Sequence, residues 1–412
     1  MQRQPASALD LFTDSVRSMG DATMVSVLEF DRHLDAHRME VAARRCLDAY
    51  PILSSRLVRG KGPAYWEHVD SRSEQLVTVV DIGNGDYRPY IVLAVDPFAS
   101  PQMAVRMLRS HEHDVLVINL AHAAADGSGL KELASSLLKA YIDPDSIRPA
   151  HGLPVRDTLW TGSLLEEDLT DDVQLVNTMW PSSLRSSNGT STYHRCTIAP
   201  EGVAAMKSLA SRYNGTINDL LMASFYLSLS EFCGHYDKQG ISFPVNLRQH
   251  LRDGSRCMTN QAANVGFSIS RSPQDTLNEV LPKVVQETSR LKQGRIGIRE
   301  QVAFDRCCDP EGLAVHRMVE EMAQQQRQGQ ANIFISNPGP ITLPTFPGLA
   351  DAYLAYPGGY MPTTCFIITT FQGSMSITMG YQQDQASTEA TSVMMDGFLD
   401  NLGIGRQFVH IL

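Results

Sequence analysis

His122-Ala-Ala-Ala-Asp126-Gly127 is the stretch on which the reading of this chain turns. It follows the apolar run Val115-Leu-Val-Ile-Asn-Leu120 and precedes Leu130-Lys-Glu-Leu-Ala-Ser-Ser-Leu-Leu138. The order reads as strand, tight loop, helix. A strand end holds an imidazole rigidly, and a loop exposes it. Asp126 stands four residues on, across a turn broken by Gly127, placed to turn inward to a cation.

Upstream, Asp21–Asp31 reads as a strand rich in β-formers, and residues 35–49 as a helix with apolar Met39, Val41, Ala42, Cys46 and Leu47. Pro51 ends that helix. Strands are expected at Ile52–Val58, Ala64–Val69, Gln75–Asp81 and Tyr90–Val95. A hairpin of Gln102–Arg109 and His113–Leu120 leads into the loop, and a helix follows at 128–141. Downstream, Asp143 to about Thr190 holds Pro144, Pro149, Pro154 and Pro181, an acidic patch at Glu166–Asp172 and a Ser/Asn/Gly-rich end. A connection this long inside one compact domain is uncommon, so it is expected to join two. The expected boundaries are 1–165, a crossover linker at 166–190, and 191–412. The second half restarts with a strand at Ser191–Ile198 and a helix at 200–213. A long helix follows, N-capped by Thr216 with Asp219 at the N3 position. Further strands are expected at Ile241–Asn246, Ala331–Ser336, Cys365–Thr370 and Ser374–Tyr381, and helices at Pro273–Arg290, Pro310–Gln325 and Thr388–Leu402. Strands and helices mixed without a short repeat fit α/β or α+β layers.

Bulk properties exclude several function classes. The 412 residues are 43% hydrophobic, yet no apolar run approaches the ~20 residues that span a bilayer. Met1-Gln-Arg-Gln-Pro5 leads into no apolar core of a signal peptide, so a soluble, cytoplasmic protein is expected, with the sequons at Asn188 and Asn214 unused. Seven cysteines, no C-x-x-C pair and an adjacent Cys307-Cys308 suit reduced thiols better than disulfides or zinc. Cys365 lies in an apolar run and is expected in the core. A net charge of −10 argues against non-specific nucleic-acid binding. Two basic segments remain, Arg248, Arg252 and Arg256, then Arg290, Lys292, Arg295 and Arg299, either of which suits a phosphate or an acidic carrier protein. His111 and His113 share one side of a strand without a third ligand, so no metal is expected. Ser128 lacks the Gly-x-Ser-x-Gly setting of a nucleophile elbow.

Four further segments, in order, join the His-x-x-x-Asp-Gly run: Tyr50-Pro-Ile-Leu-Ser-Ser-Arg-Leu57, Thr216-Ile-Asn-Asp-Leu-Leu-Met-Ala223, Phe243-Pro-Val-Asn-Leu-Arg248 and Ser336-Asn-Pro-Gly-Pro340. Together these resemble the thioester-dependent acyltransferases related to chloramphenicol acetyltransferase. That superfamily includes peptide-synthetase condensation domains, wax ester synthases and polyketide-associated acyltransferases. Many members carry two adjacent histidines; here Ala121 stands at the first position and His122 at the second, catalytic one. The Asp-Phe-Gly-Trp-Gly segment of plant-type members is absent. The resemblance implies a V-shaped pair of similar α/β halves around a central tunnel, with His122 at its midpoint. Thioester and acceptor would reach it from opposite faces. In that family the aspartate is structural and pairs with an arginine, which points to Asp126 and Arg248.

The implied chemistry is acyl transfer from a phosphopantetheine thioester, on coenzyme A or a carrier protein, to a hydroxyl or amine. Imidazole titrates near neutrality, which suits His122 as the general base. The attacking group is the acceptor itself, so no enzyme nucleophile and no permanently bound cofactor is required. Candidate oxyanion donors are the backbone N–H groups around Asp126 and Gly127 and the hydroxyls of Ser336, Thr369 and Thr370. Asn337 is a candidate substrate contact. Gly127 is expected to permit a backbone shape or close approach that a Cβ would block. The competing reading is a catalytically silent scaffold that binds a carrier protein or ligand, mildly favoured by Ala121.

Overall fold

The computed structural model describes residues 3–71, 74–150, 178–179, 191–233, 238–250, 258–331, 333–356, 365–382 and 388–411. The first half contains β1 (Arg3–Pro5), α1 (Ala8–Ser15), β2 (Thr23–Phe30), α2 (Ala36–Ala49), β3 (Ser55–Gly60), β4 (Gly62–His68), β5 (Val77–Gly83), β6 (Met103–Ser110), β7 (Asp114–Ala121) and α3 (Gly127–Ile142). Then come β8 (Thr178–Met179), β9 (Ser191–Ile198), α4 (Pro200–Ser211), α5 (Ile217–Cys233), β10 (Lys238–Asn246), β11 (Ala262–Ser270), α6 (Leu277–Lys292), α7 (Ile298–Cys307) and α8 (Leu313–Arg327). The chain continues through β12 (Gln330–Ala331), β13 (Ile333–Pro340), β14 (Leu349–Ala355), β15 (Cys365–Phe371), β16 (Ser374–Gln382), α9 (Thr388–Asp400) and β17 (Val409–Ile411).

Two large sheets organise these elements. The first runs β14-β2-β7-β6-β5, and the second β11-β10-β13-β15-β16-β9-β17. β7 is buried along its whole length and is apolar except for Asp114 and Asn119, whose side chains are hydrogen-bonded to Arg109 and to Ile91 O. One face of its sheet packs on α2 and α3: Leu116, Ile118 and Leu120 share a core with Met39, Ala43, Cys46, Leu133 and Leu137. α2 buries Met39, Ala42, Ala43, Cys46 and Leu47, an i, i+3, i+4, i+7, i+8 stripe, and Asp35 caps it by accepting from Arg38 N at 3.0 Å. Val41, expected in that stripe, is only half-buried, because Ala43 holds the corresponding core position. The second sheet is backed by α5, α6 and α9 through Phe225, Leu281, Phe366 and Phe398.

The halves are interlocked. β14 comes late in the chain yet pairs antiparallel with β2, so the expected boundary at residue 190 does not partition the sheets. Beside it lies a polar junction. Arg195 on β9, 3% exposed, donates to Glu29 of β2 at 2.7 Å and to Asp351 of β14, and stacks 3.8 Å from the Tyr353 ring centroid. Tyr353 shares hydroxyl contacts with Tyr193 at 2.7 Å and Tyr87 at 3.1 Å. Burial raises the Tyr193 hydroxyl pKa to about 12, so it stays protonated and able to donate.

Most expected elements are present; the departures have local causes. Pro51–Ser54 forms a 3-10 turn and β3 begins only at Ser55, since Pro51 at the first position favours a helical turn. Tyr90–Val95 is irregular rather than a strand: Asn119 donates to Ile91 O at 2.8 Å and Val95 N to Thr23 Oγ1 at 3.0 Å, side-chain bonds in place of a ladder. α1, β11, α7 and β14 escaped the pattern reading. The expected linker at 166–190 lies outside the described residues except for β8. At the cap of α5, Asp219 Oδ2 accepts from both Thr216 N at 2.6 Å and Thr216 Oγ1 at 2.7 Å.

Candidate active site

The loop after β7 is fixed at every turn. Ala121 N donates to Gln102 O, His122 N to Ala22 O and Ala124 N to Ala121 O, each at 3.0 Å. The chain then folds back so that Ala125 O lies 3.1 Å from His122 Nδ1. A carbonyl only accepts, so Nδ1 carries the proton of the neutral ring and Nε2 the lone pair. The half-buried imidazole stands edge-on to Tyr356, with ring centroids 6.5 Å apart.

Asp126 closes the loop and starts α3. Its Oδ1 accepts from Gly129 N at 3.0 Å, an N-cap, while Oδ2 accepts from Arg248 Nη1 at 2.7 Å and Gln261 N at 2.8 Å. Arg248 Nη2 donates to Thr259 O at 2.7 Å. The carboxylate is buried and the guanidinium nearly so, which makes this an internal ion pair between the halves. Arg248 therefore faces inward rather than forming a basic docking patch; Arg252 and Arg256 lie outside the described residues. In the other basic segment Arg290 pairs with Glu287 and Lys292 lies 3.8 Å from Asp219.

Gly127 is the first residue of α3 and lacks the positive φ that would demand glycine. A Cβ there would meet Pro338 at 3.5 Å, an ordinary contact, so the expected need for glycine at this position does not hold. The tight position is Gly129, where a Cβ would come within 2.8 Å of the Ala125 methyl.

A cavity of about 590 Å³ opens beside His122 and is lined from both halves. α1 contributes Leu9, Phe12 and Thr13, the turn after it Val16, and α8 contributes Met318, Met322, Gln325 and Gln326. α1 and α8 also pack on each other, with Phe12 against the core of Met19, Val319 and Ala323, so the cavity lies along the flank of a packed helix pair. Ser336 lines the cavity, whereas Asn337, Thr369 and Thr370 do not. Asn337 Nδ2 instead donates to Asn218 Oδ1 at 2.5 Å, and Thr369 and Thr370 pair with Gly339 and Pro340 across the β13–β15 ladder. Lys131 on α3 donates to Pro338 O and to Pro340 O, the latter at 3.1 Å, and desolvation lowers its ammonium pKa. The Ser336–Pro340 segment is thus tied across the start of α3.

Sequence reasoning missed Asn260, Tyr356 and Lys131. The polar run Thr259-Asn260-Gln261 carries no spacing that marks it. Ser128, set aside as a nucleophile, accepts from Asn246 Nδ2 at 3.2 Å. His113 Nδ1 lies 2.9 Å from Ser110 Oγ in the hairpin turn, and among the described residues no three His, Cys, Asp or Glu side chains gather as a metal site. Cys46, Cys196, Cys307 and Cys308 are free thiols, and no described helix is long and apolar enough to cross a membrane.

Comparison with solved structures places this architecture. The TRI3 trichothecene 15-O-acetyltransferase of Fusarium sporotrichioides superposes with a TM-score of 0.72 over 97% of this chain and 95% of its own, at 11% identity. Polyketide synthase associated protein 5 of Mycobacterium tuberculosis gives 0.67 over 97% and 99%, at 14% identity. The chain has the condensation-domain fold. The epimerization domain of tyrocidine synthetase B shares it, with a TM-score of 0.65 over 94% and 91% at 14% identity, so the condensation fold alone does not fix the reaction. By sequence, the chain is similar to the uncharacterized protein Rv2305 of Mycobacterium tuberculosis, 27% identical over 237 residues, 52% of this chain and 54% of that protein. The chain thus matches about half the length of its curated relatives. No protein-family model matches it.

Proposed function

We propose that this protein is an acyltransferase that moves an acyl group from a phosphopantetheine thioester, on coenzyme A or a carrier protein, to a hydroxyl or amine, with His122 as general base. One observation carries the reading. His122 Nδ1 is engaged by Ala125 O, which leaves Nε2 as the basic nitrogen beside a cavity shared by both halves. As the acceptor oxygen or nitrogen bonds to the thioester carbonyl carbon, Nε2 takes its proton. The tetrahedral oxyanion then collapses, the C–S bond breaks, and the proton on Nε2 passes to the leaving sulfur. No resident cofactor takes part.

The oxyanion donors in this reading are the N–H groups of Gly127 and Ser128, the first two of α3. The first N–H groups of a helix have no partner within it and carry its positive dipole end, so the start of α3 suits a developing negative charge. The Ser336 hydroxyl on the cavity wall is a second source. Asp126 is bonded to Gly129, Gln261 and Arg248 rather than to the imidazole, so its part is to hold the loop. The test is free-thiol release from a panel of acyl-coenzyme A and acyl-carrier donors with pooled alcohols and amines. Release that requires an acceptor supports the reading and names the donor. No release from well-folded protein with the full panel favours the silent scaffold.

A further inference from the structure

Asn260 precedes β11 in the C-terminal half, yet its amide reaches the backbone of the His122 loop. The residue is 6% exposed and borders the cavity. Nδ2 stands 2.9 Å from His122 O, 2.9 Å from Ala123 O and 3.1 Å from Asp10 Oδ1. The carbonyls only accept, which fixes the amide with its NH2 toward the loop. Asp10 is itself held: its Oδ2 accepts from Ser7 N and Trp66 Nε1, both at 2.9 Å. The loop from Ala123 to Ala125 is buried, and a buried carbonyl without a donor is costly. The turn that the loop adopts is therefore tied to Asn260. That same turn brings Ala125 O to His122 Nδ1.

We propose that Asn260 is a positioning residue: by holding the carbonyls of His122 and Ala123 it sets the turn that presents Ala125 O to His122 Nδ1, and so fixes the imidazole with Nε2 free to act. The proposal rests on the reading of His122 as the base. Because Asn260 belongs to the other half, the base is oriented only when the two halves are seated together, in concert with the Asp126–Arg248 pair.

A purely structural role would be to neutralise Asp10, and one pair of variants separates the two. Asn260→Ala removes every contact. The swap Asp10→Asn with Asn260→Asp restores an amide–carboxylate pair between these positions, but a carboxylate at position 260 cannot donate to the loop carbonyls. The 15N spectrum of the His122 ring and the steady-state kinetics are measured for both. In the wild type Nδ1 carries the proton and Nε2 is bare. In both variants the ring signals are expected to move toward a mixture of tautomers, with kcat lower by about 10²-fold and donor KM unchanged. The swap is expected to recover only the share of the melting temperature that the contact with position 10 supplies, because the two loop carbonyls stay without a donor, and to recover no kcat. An unchanged ring spectrum in Asn260→Ala, or a swap that restores kcat together with stability, overturns the proposal. Ring signals that shift in the variants, with the wild type inert toward every thioester, support the positioning role and refute the acyltransferase reading instead.

Discussion

Replacing Asp126 by alanine removes three contacts at once, and the cost can be worked from the geometry. The Oδ1–Gly129 N cap of α3, at 3.0 Å, is worth about 1 kcal/mol by comparison with other N-caps. Oδ2 is the carboxylate partner of Arg248 at 2.7 Å, and their side chains are 5% and 12% exposed, so little water is available to solvate the orphaned guanidinium. Breaking a buried pair from one side costs about 3–5 kcal/mol. The total, about 4–6 kcal/mol if the terms add, is comparable with the ~5–15 kcal/mol that stabilises a domain. Asp126→Ala is therefore expected to lose a large share of its stability, and Asp126→Asn, which keeps an acceptor for Gly129 N, much less. The assay is urea unfolding followed by tryptophan fluorescence. A double-mutant cycle with Arg248→Met supplies the check, because the pair's coupling makes the double variant less destabilised than the two singles summed. Asp126→Ala within ~1 kcal/mol of wild type, or strictly additive singles, would refute the structural role of this pair.

Three further outcomes follow from the structure. Gly129→Ala forces a methyl against Ala125 and should destabilise by up to ~2 kcal/mol net, because overpacking outweighs the helical gain over glycine. Gly127→Ala meets only Pro338 at ordinary distance and should be as stable as wild type, with both compared by chemical denaturation. Asp305 accepts from Gln301 Nε2 at 2.8 Å, but burial raises its carboxyl pKa above the ordinary value. In the window above that ordinary value the folded protein binds more protons than the unfolded chain, so stability falls as pH rises. Asp305→Asn keeps an acceptor for Gln301 and should raise the melting temperature at neutral pH, with the gain fading at acid pH where Asp305 is protonated anyway.

The sequence made the strand–loop–helix around His122 legible because its signals are local. The apolar β7, the glycine-broken turn and the apolar α3 lie within one short window, and the Asp126–Arg248 pair could be read from the family resemblance across 122 residues of separation. Non-local features were not legible. β14 leaves its own half to pair with β2, and nothing in Leu349–Ala355 records which edge it will join. Asn260 acquires its role only when the start of β11 is folded against the His122 loop. Thr369 and Thr370 carry the right hydroxyl chemistry, but their register on β15 places them beside Gly339 and Pro340 and away from the cavity. Gly127 drew attention as the last residue of the run, whereas the close approach falls at Gly129, inside the helix.

The most direct measurement is acceptor-dependent thiol release by His122→Ala beside wild type, with the preferred donor and with donor binding checked separately. The variant is expected to fold and still bind the thioester while turnover falls about 10²–10⁴-fold, the usual contribution of a positioned general base. Equal release by the two proteins would contradict this mechanism, because His122 would then not be the base.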